Sequence, residues 1–299
     1  DTYQSDLVIC GFEMVSLNSN QQPQDIIHFN SASLGEECVY TQQLFFEKLS
    51  CILWRTSLLE CPWNKMFRKD IIRNYNLQFP IDKSLGEDFC FNIDYFAYVN
   101  KVVILSDELY YYMQINQTAL TRKFQANYFE DQLYLIKKFD DVVRKNIKLS
   151  KQERVYLAEY MVAKTIQSIR HLFDENSGLA SAQRKARIAE IINNSYVRDA
   201  IKLAEYIDDR YLWIKNEIEK SDIKKIYTFF EKNTEQKIEN KVVSEIELHP
   251  SYINKLLVKV CEIILRKHKC AAVQEIKDNL QSRGIKYTIK KMWHVIIKK

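Results

Sequence analysis

Glycine and proline are distributed so unevenly along this chain that they divide it in two. Residues 1–125 hold three of the four prolines (Pro23, Pro62, Pro80) and three of the five glycines, whereas from Ala126 onward only Gly178, Pro250 and Gly284 interrupt 174 residues. Short apolar runs fall between the breaks of the first part. Leu7 to Cys10 in "SDLVICGFEMVS" reads as a buried strand ended by Gly11, and "QDIIHF" as a second strand after the polar loop "LNSNQQPQ". "GEECVYTQQLFFEKLS" has helical spacing at Val39, Leu44, Phe45 and Leu49. "KVVILSDELYYYMQ" reads as a buried strand, a Ser-Asp turn and an aromatic strand. Alternating strands and helices predict an α/β arrangement over 1–125. Beyond it, apolar residues recur at three and four. "SKQERVYLAEYMVAKTIQSIRHLF" opens with Ser150 and Glu153 in capping-box spacing, and "SDIKKIYTFFEK" and "SYINKLLVKVCEIILRKHK" open on similar Ser caps. Residues 126–299 are therefore expected to be a mainly α-helical C-terminal domain, without the fixed period of a solenoid.

A content of 46% hydrophobic and 28% charged residues is that of a folded globular protein. No apolar run approaches 18 residues, so no membrane-spanning helix is expected, and the polar opening "DTYQSD" is no secretory signal. The first residue is not Met, which suggests an excised piece of a longer protein. The seven cysteines are scattered and never form CxxC, which argues against a disulfide framework and fits a reducing cytoplasm. The five histidines show neither HxxxH nor HExxH, and no metal site is expected in this chain. The net charge of +5 conceals an asymmetry. From Pro250 to Lys299 there are 12 Lys/Arg against 3 Asp/Glu, leaving 32 against 36 elsewhere. The last segment, "IKYTIKKMWHVIIKK", puts Ile285, Ile289, Met292, Trp293 and Ile296 on one face with lysines opposite. Residues 285–299 thus suit an anionic membrane surface, or else a docked terminal helix with a solvated lysine face. No helix-turn-helix, finger or RNP-like motif supports nucleic-acid binding.

"SLGEDFCFNID" (84–94) carries the most chemistry. Two adjacent carboxylates, Glu87 and Asp88, follow Gly86 and precede the apolar positions Phe89, Phe91, Ile93 and Phe96. Either they open a helix, where first-turn acids favour the dipole, or one of them is placed to take a proton.

Around them, "PWNKMFRKDII" (62–72), "LQFP" (77–80), "GEDFCFN" (86–92), "DELYYYMQ" (107–114) and "TALTRKF" (118–124) occur in order. Together these segments resemble the closing part of a GT-A, Rossmann-like glycosyltransferase domain of the family-2 type used in bacterial surface-polysaccharide synthesis. "SDLVICGFEMVS" is similar to the strand that follows the metal-binding half of that domain. The resemblance covers roughly residues 1–125 and implies that they are its acceptor-side half. The preceding half, with its nucleotide pocket and an Asp-x-Asp that holds Mg²⁺ or Mn²⁺, has no counterpart in this sequence, so this chain alone is expected to lack the donor site.

The resemblance implies transfer of a sugar from a nucleotide-sugar donor to a glycan or lipid-linked acceptor, with inversion, at the inner face of a bacterial plasma membrane. Asp88 matches the family's final carboxylate and is the expected base, Glu87 an acceptor-binding acid, and Gly86 the residue that lets the backbone approach the sugars. Trp63, Asn64 and Lys65 are expected on the acceptor. An indole stacks on a sugar ring and an amide bonds its hydroxyls in both directions, although Trp63 could equally open a helix with Asn64 as cap. Arg122 matches a basic residue near the donor phosphates, or is an exposed Arg at a loop-to-helix junction. Tyr110, Tyr111 and Tyr112 read most simply as a strand alternating between core and surface. The rival class is a non-catalytic module that binds a glycan or another transferase subunit. The long helices also offer surfaces for a homo-oligomer.

Overall fold

A pair of long parallel strands organises the first part of the molecule. In the computed structural model, which describes residues 4–17, 22–35, 38–81, 83, 85–114, 124–205 and 209–234, β1 (Leu7–Leu17) and β5 (Lys101–Gln114) pair from Leu7↔Val102 to Ser16↔Gln114. The other edge of β1 takes two antiparallel partners. β4 (Lys65–Phe67) pairs with Leu7 to Ile9, and β2 (Pro23–Phe29) pairs with Phe12 to Leu17. β3 (Val39–Thr41) runs antiparallel to β5 and completes the order β2-β1-β5-β3. Pro23 stands at the start of β2, an edge strand, where a missing N–H is tolerated.

Two boundaries differ from the sequence expectation. Gly11 does not end its strand: β1 continues through it to Leu17. Nor does the chain turn at Ser106-Asp107. β5 is one strand that pairs with β1 on both sides of this point, and six steps along β5, from Ile104 to Tyr110, oppose three along β1, from Ile9 to Phe12. The surplus is taken up as a bulge, the device by which a strand absorbs extra residues and re-aims side chains.

The helices are α1 (Gln42–Thr56), α2 (Lys69–Asn74), α3 (Glu87–Phe96), α4 (Tyr128–Asn146), α5 (Lys151–His171), α6 (Ser181–Asn193), α7 (Ser195–Leu203), α8 (Asp209–Glu219) and α9 (223–234). Val39, expected in the first helix, belongs to β3, because Thr41 caps α1 by accepting from Leu44 N at 3.3 Å. Ser150 caps α5, accepting from Glu153 N at 3.1 Å, but Glu153 does not reciprocate. Its Oε2 is drawn into the interior, where it accepts from Ser50 N and Cys51 N of α1. The cap of α9 is Asp222 rather than Ser221, with Asp222 Oδ1 accepting from Lys225 N.

The mixed α/β part gives way to helices, and the two share one core. Leu7 and Ile9 of β1, Phe45 of α1 and Phe96 of α3 belong to the same buried cluster as Phe139 of α4 and Ile166 of α5. α5 packs against α1, α4, α6 and α7 and is buried on most sides, as a central helix should be. Polar ties fix the start of β1. Asp6 accepts from Asn100 N and Lys101 N and pairs with Arg68 at 3.0 Å; the Tyr95 hydroxyl donates to Asp6 O at 2.7 Å and accepts from Arg68 N at 2.8 Å. The chain divides into two compact units, 1–231 and 232–299, and the elements above belong to the first apart from the last three residues of α9. Among the described residues no helix is long and apolar enough to cross a membrane.

Candidate active site

Gly86 sets the start of α3. It caps the helix with φ 79°, a left-handed conformation that L side chains rarely adopt, and a Cβ there would lie 2.4 Å from Leu135 Cδ1 of α4. The close approach that requires glycine is to another helix, α4. Glu87 and Asp88 follow in the first turn, where acids favour the helix dipole. Asp88 is half-buried. Burial first, and then the neighbouring charge of Glu87, push its carboxyl above the usual aspartate range, while Lys65 pulls it back.

The segment from Leu58 to Lys65 is tied to α3, since Asn92, one turn beyond Asp88, bonds its backbone at Leu59 O and Glu60 O. Asn64 is only 1% exposed. Its Nδ2 donates to Cys10 O at 3.0 Å and Leu58 O at 3.1 Å, and its Oδ1 accepts from Lys65 Nζ at 2.9 Å. Lys65 Nζ also donates to Leu58 O at 2.6 Å and to Cys61 O, which uses all three of its N–H bonds. Asn64 and Lys65 are therefore internal braces of the turn, a correction to their expected place on an acceptor. Neither caps a helix, because the chain passes directly into β4. Burial pushes the Lys65 ammonium down to about 7 and the Cys61 thiol up to about 11.

From α3, Asn92 donates to Leu59 O and Glu60 O, fixing the same turn from its other side; its own Oδ1 is buried without a partner. Glu60 Oε1 accepts from the Tyr160 hydroxyl at 2.6 Å and pairs with Lys164 at 2.7 Å. Burial would raise its carboxyl, but the charge and hydrogen bond of Lys164, with the Tyr160 hydroxyl and Lys65, together hold it below the usual range. The turn is thereby tied to α5, a link that no local motif signalled.

Trp63 projects from this braced turn onto the sheet. Its ring stacks on Tyr110 (4.4 Å, 23°) and Tyr112 (5.4 Å, 9°) and meets Phe12 edge-on at 4.7 Å; Phe12 in turn stacks on Phe29. Tyr110 and Tyr112 occupy the Trp63 side of β5 and Tyr111 the other, as strand alternation demands. The result is a half-exposed aromatic surface on three strands. Asp88, Glu87, Lys65 and the Trp63 turn are thus brought together. Arg122, the Ser-capped helix expected from Ser251 and the segment 285–299 lie outside the described residues.

One group escaped sequence reading. Glu13, His28 and Glu108, far apart in the chain and free of any spacing motif, meet across β1, β2 and β5 with ligand atoms all within 4.8 Å of one another. Only the strand register could have revealed it.

No protein-family model matches this sequence, and no curated protein matches it. Two solved structures are similar, both of S. aureus TarS 1-349. The complex with UDP-GlcNAc matches with a TM-score of 0.43 and 17% identity over 79% of this chain and 61% of that one. The complex with UDP matches with a TM-score of 0.40 and 17% identity over 79% and 60%. The chain spans about three fifths of the length of these relatives. At this distance the functional reading rests on the site residues themselves.

Proposed function

We propose that this chain serves a glycosyltransferase of the GT-A family-2 type, moving a sugar from a nucleotide donor to a glycan or lipid-linked acceptor with inversion. The observation that carries the reading is the half-buried Asp88 at the N-terminus of α3, beside a rigid turn that presents Trp63. Inverting transfer needs a base. As the acceptor oxygen forms its bond to the anomeric carbon, its proton passes to a carboxylate oxygen of Asp88, and the bond to the nucleotide diphosphate breaks with its electron pair. A carboxyl raised toward neutrality is a better proton acceptor than an exposed aspartate, and a positioned base contributes about 10²–10⁴ in rate.

Glu87, next in the same turn, would bond and orient acceptor hydroxyls, and the Trp63–Tyr110–Tyr112 surface would hold a sugar ring by its apolar face. Asn64 and Lys65 act through the turn they brace. The divalent cation implied by the family resemblance is held there by an Asp-x-Asp; this sequence contains none, and no step is assigned to the cation.

The aromatic surface also favours a second reading, a glycan-binding module without catalysis. Turnover of a panel of sugar nucleotides by the full-length protein, with oligosaccharide binding measured in parallel, separates the two. The enzyme reading expects transfer to at least one acceptor. Saturable glycan binding that Trp63→Ala removes, with no turnover of any donor, would overturn it in favour of the module.

A further inference from the structure

The Glu13–His28–Glu108 group has the build of a ligand set. Glu13 and His28 are direct partners in the β1–β2 register, and Glu108 stands opposite Gly11, two residues along β1 from Glu13 and so on the same face. His28 Nδ1 lies 2.7 Å from Glu108 Oε2 and 4.0 Å from Glu13 Oε1, so a single ring nitrogen faces both carboxylates. The two acids are only 20% and 16% exposed, while the imidazole, at 57%, leaves the group open to solvent.

Two independent features hold Glu108 in place. The bulge in β5 sets it opposite the one residue of β1 that can admit it: a Cβ on Gly11 would lie 3.0 Å from Glu108 Cγ, 3.2 Å from Asn30 Cβ and 2.7 Å from Phe29 O. Asn30 Nδ2 then donates to Glu108 Oε1 at 2.7 Å, which leaves Oε2 turned toward His28. Carboxylates that bind metals are characteristically oriented by such an outer hydrogen bond.

We propose that Glu13, His28 and Glu108 bind a divalent transition metal, with zinc the best fit. One imidazole nitrogen and two carboxylates match its N/O preference at about 2.0–2.2 Å, and the two negative charges neutralise the ion. Their mutual distances, up to 4.8 Å, let the three donors close on one ion by side-chain rotation, with water completing the shell on the exposed side of His28. Mg²⁺, which demands octahedral oxygen ligation, fits poorly. Because Phe12 and Glu13 are successive residues of β1, the ion would sit on the face opposite the aromatic surface. There it cross-links β2, β1 and β5 and stabilises the edge on which Trp63 stacks.

The test uses the full chain stripped by chelator. Calorimetric titration with Zn²⁺ should show one saturable site and a raised Tm, with Mg²⁺ leaving Tm unchanged. His28→Ala and Glu108→Gln should each abolish saturable uptake. Asn30→Ala, which keeps all three donors, should weaken it by about 10–100-fold. Co²⁺ should bind without a thiolate charge-transfer band. Uptake unchanged in the His28 and Glu108 variants, a thiolate band that places the ion on cysteine, or no saturable binding in the unaltered chain would each overturn the proposal. The variants alter partly exposed side chains, and metal-free circular dichroism like that of the parent confirms that they fold.

Discussion

Two carboxylates show how burial and pairing compete at single positions. At Glu60 Lys164, the Tyr160 hydroxyl and Lys65 together outweigh burial and lower the pKa; at Asp88 burial and Glu87 outweigh Lys65 and raise it. The consequences have opposite signs. A carboxyl depressed in the folded state stabilises the fold above its unfolded value, and the contribution is lost as pH falls through the folded pKa. Glu60→Gln should therefore lower the urea midpoint at neutral pH, with the deficit shrinking as pH falls below about 4.3, the unperturbed glutamate value. A deficit independent of pH would show that the loss is one of packing. The Tyr95 hydroxyl ties α3 to the start of β1 and to the Arg68 backbone, which also bonds Asp6 O directly. Tyr95→Phe removes the hydroxyl's bonds to Asp6 O and Arg68 N while Arg68 N keeps its bond to Asp6 O, and should cost about 0.5–1.5 kcal/mol, read as a lower midpoint with unchanged m.

Elements were legible where periodicity decides them and obscure where a single residue does. β1, β2 and the helical run of α5 follow from apolar spacing. Gly11 and Ser106-Asp107 mimic chain breaks, yet Gly11 makes room for Glu108 and the Ser-Asp pair falls within a bulge, both long-range effects of strand pairing. The opening of α3 is where element and site meet. Gly86→Ala must place a side chain at positive φ and against Leu135. The left-handed conformation alone costs about 1–2 kcal/mol and the overpacking about 1–3 kcal/mol more. Thermal denaturation should show a clear fall in Tm; an unchanged Tm would mean that α3 and α4 separate freely.

Among the described residues the last strand ends at Gln114 and the elements from Tyr128 onward are helices, and one buried core holds residues of both parts. Sequence spacing could not show this, because the Glu60–Lys164 pair and the Glu153 bonds to α1 join residues about a hundred positions apart. The candidate site was legible in part for the same reason. Asp88 and Trp63 stand out as residue types, but only the fold reveals that Asn64 and Lys65 are consumed in bracing their turn. The claim on which the functional account stands is that Asp88 receives the acceptor proton. Its most direct test is Asp88→Asn in the full-length protein, with transfer rate and donor binding measured together. The account predicts a fall in turnover of about 10²–10⁴ with donor affinity retained; turnover equal to that of the unaltered enzyme would contradict it.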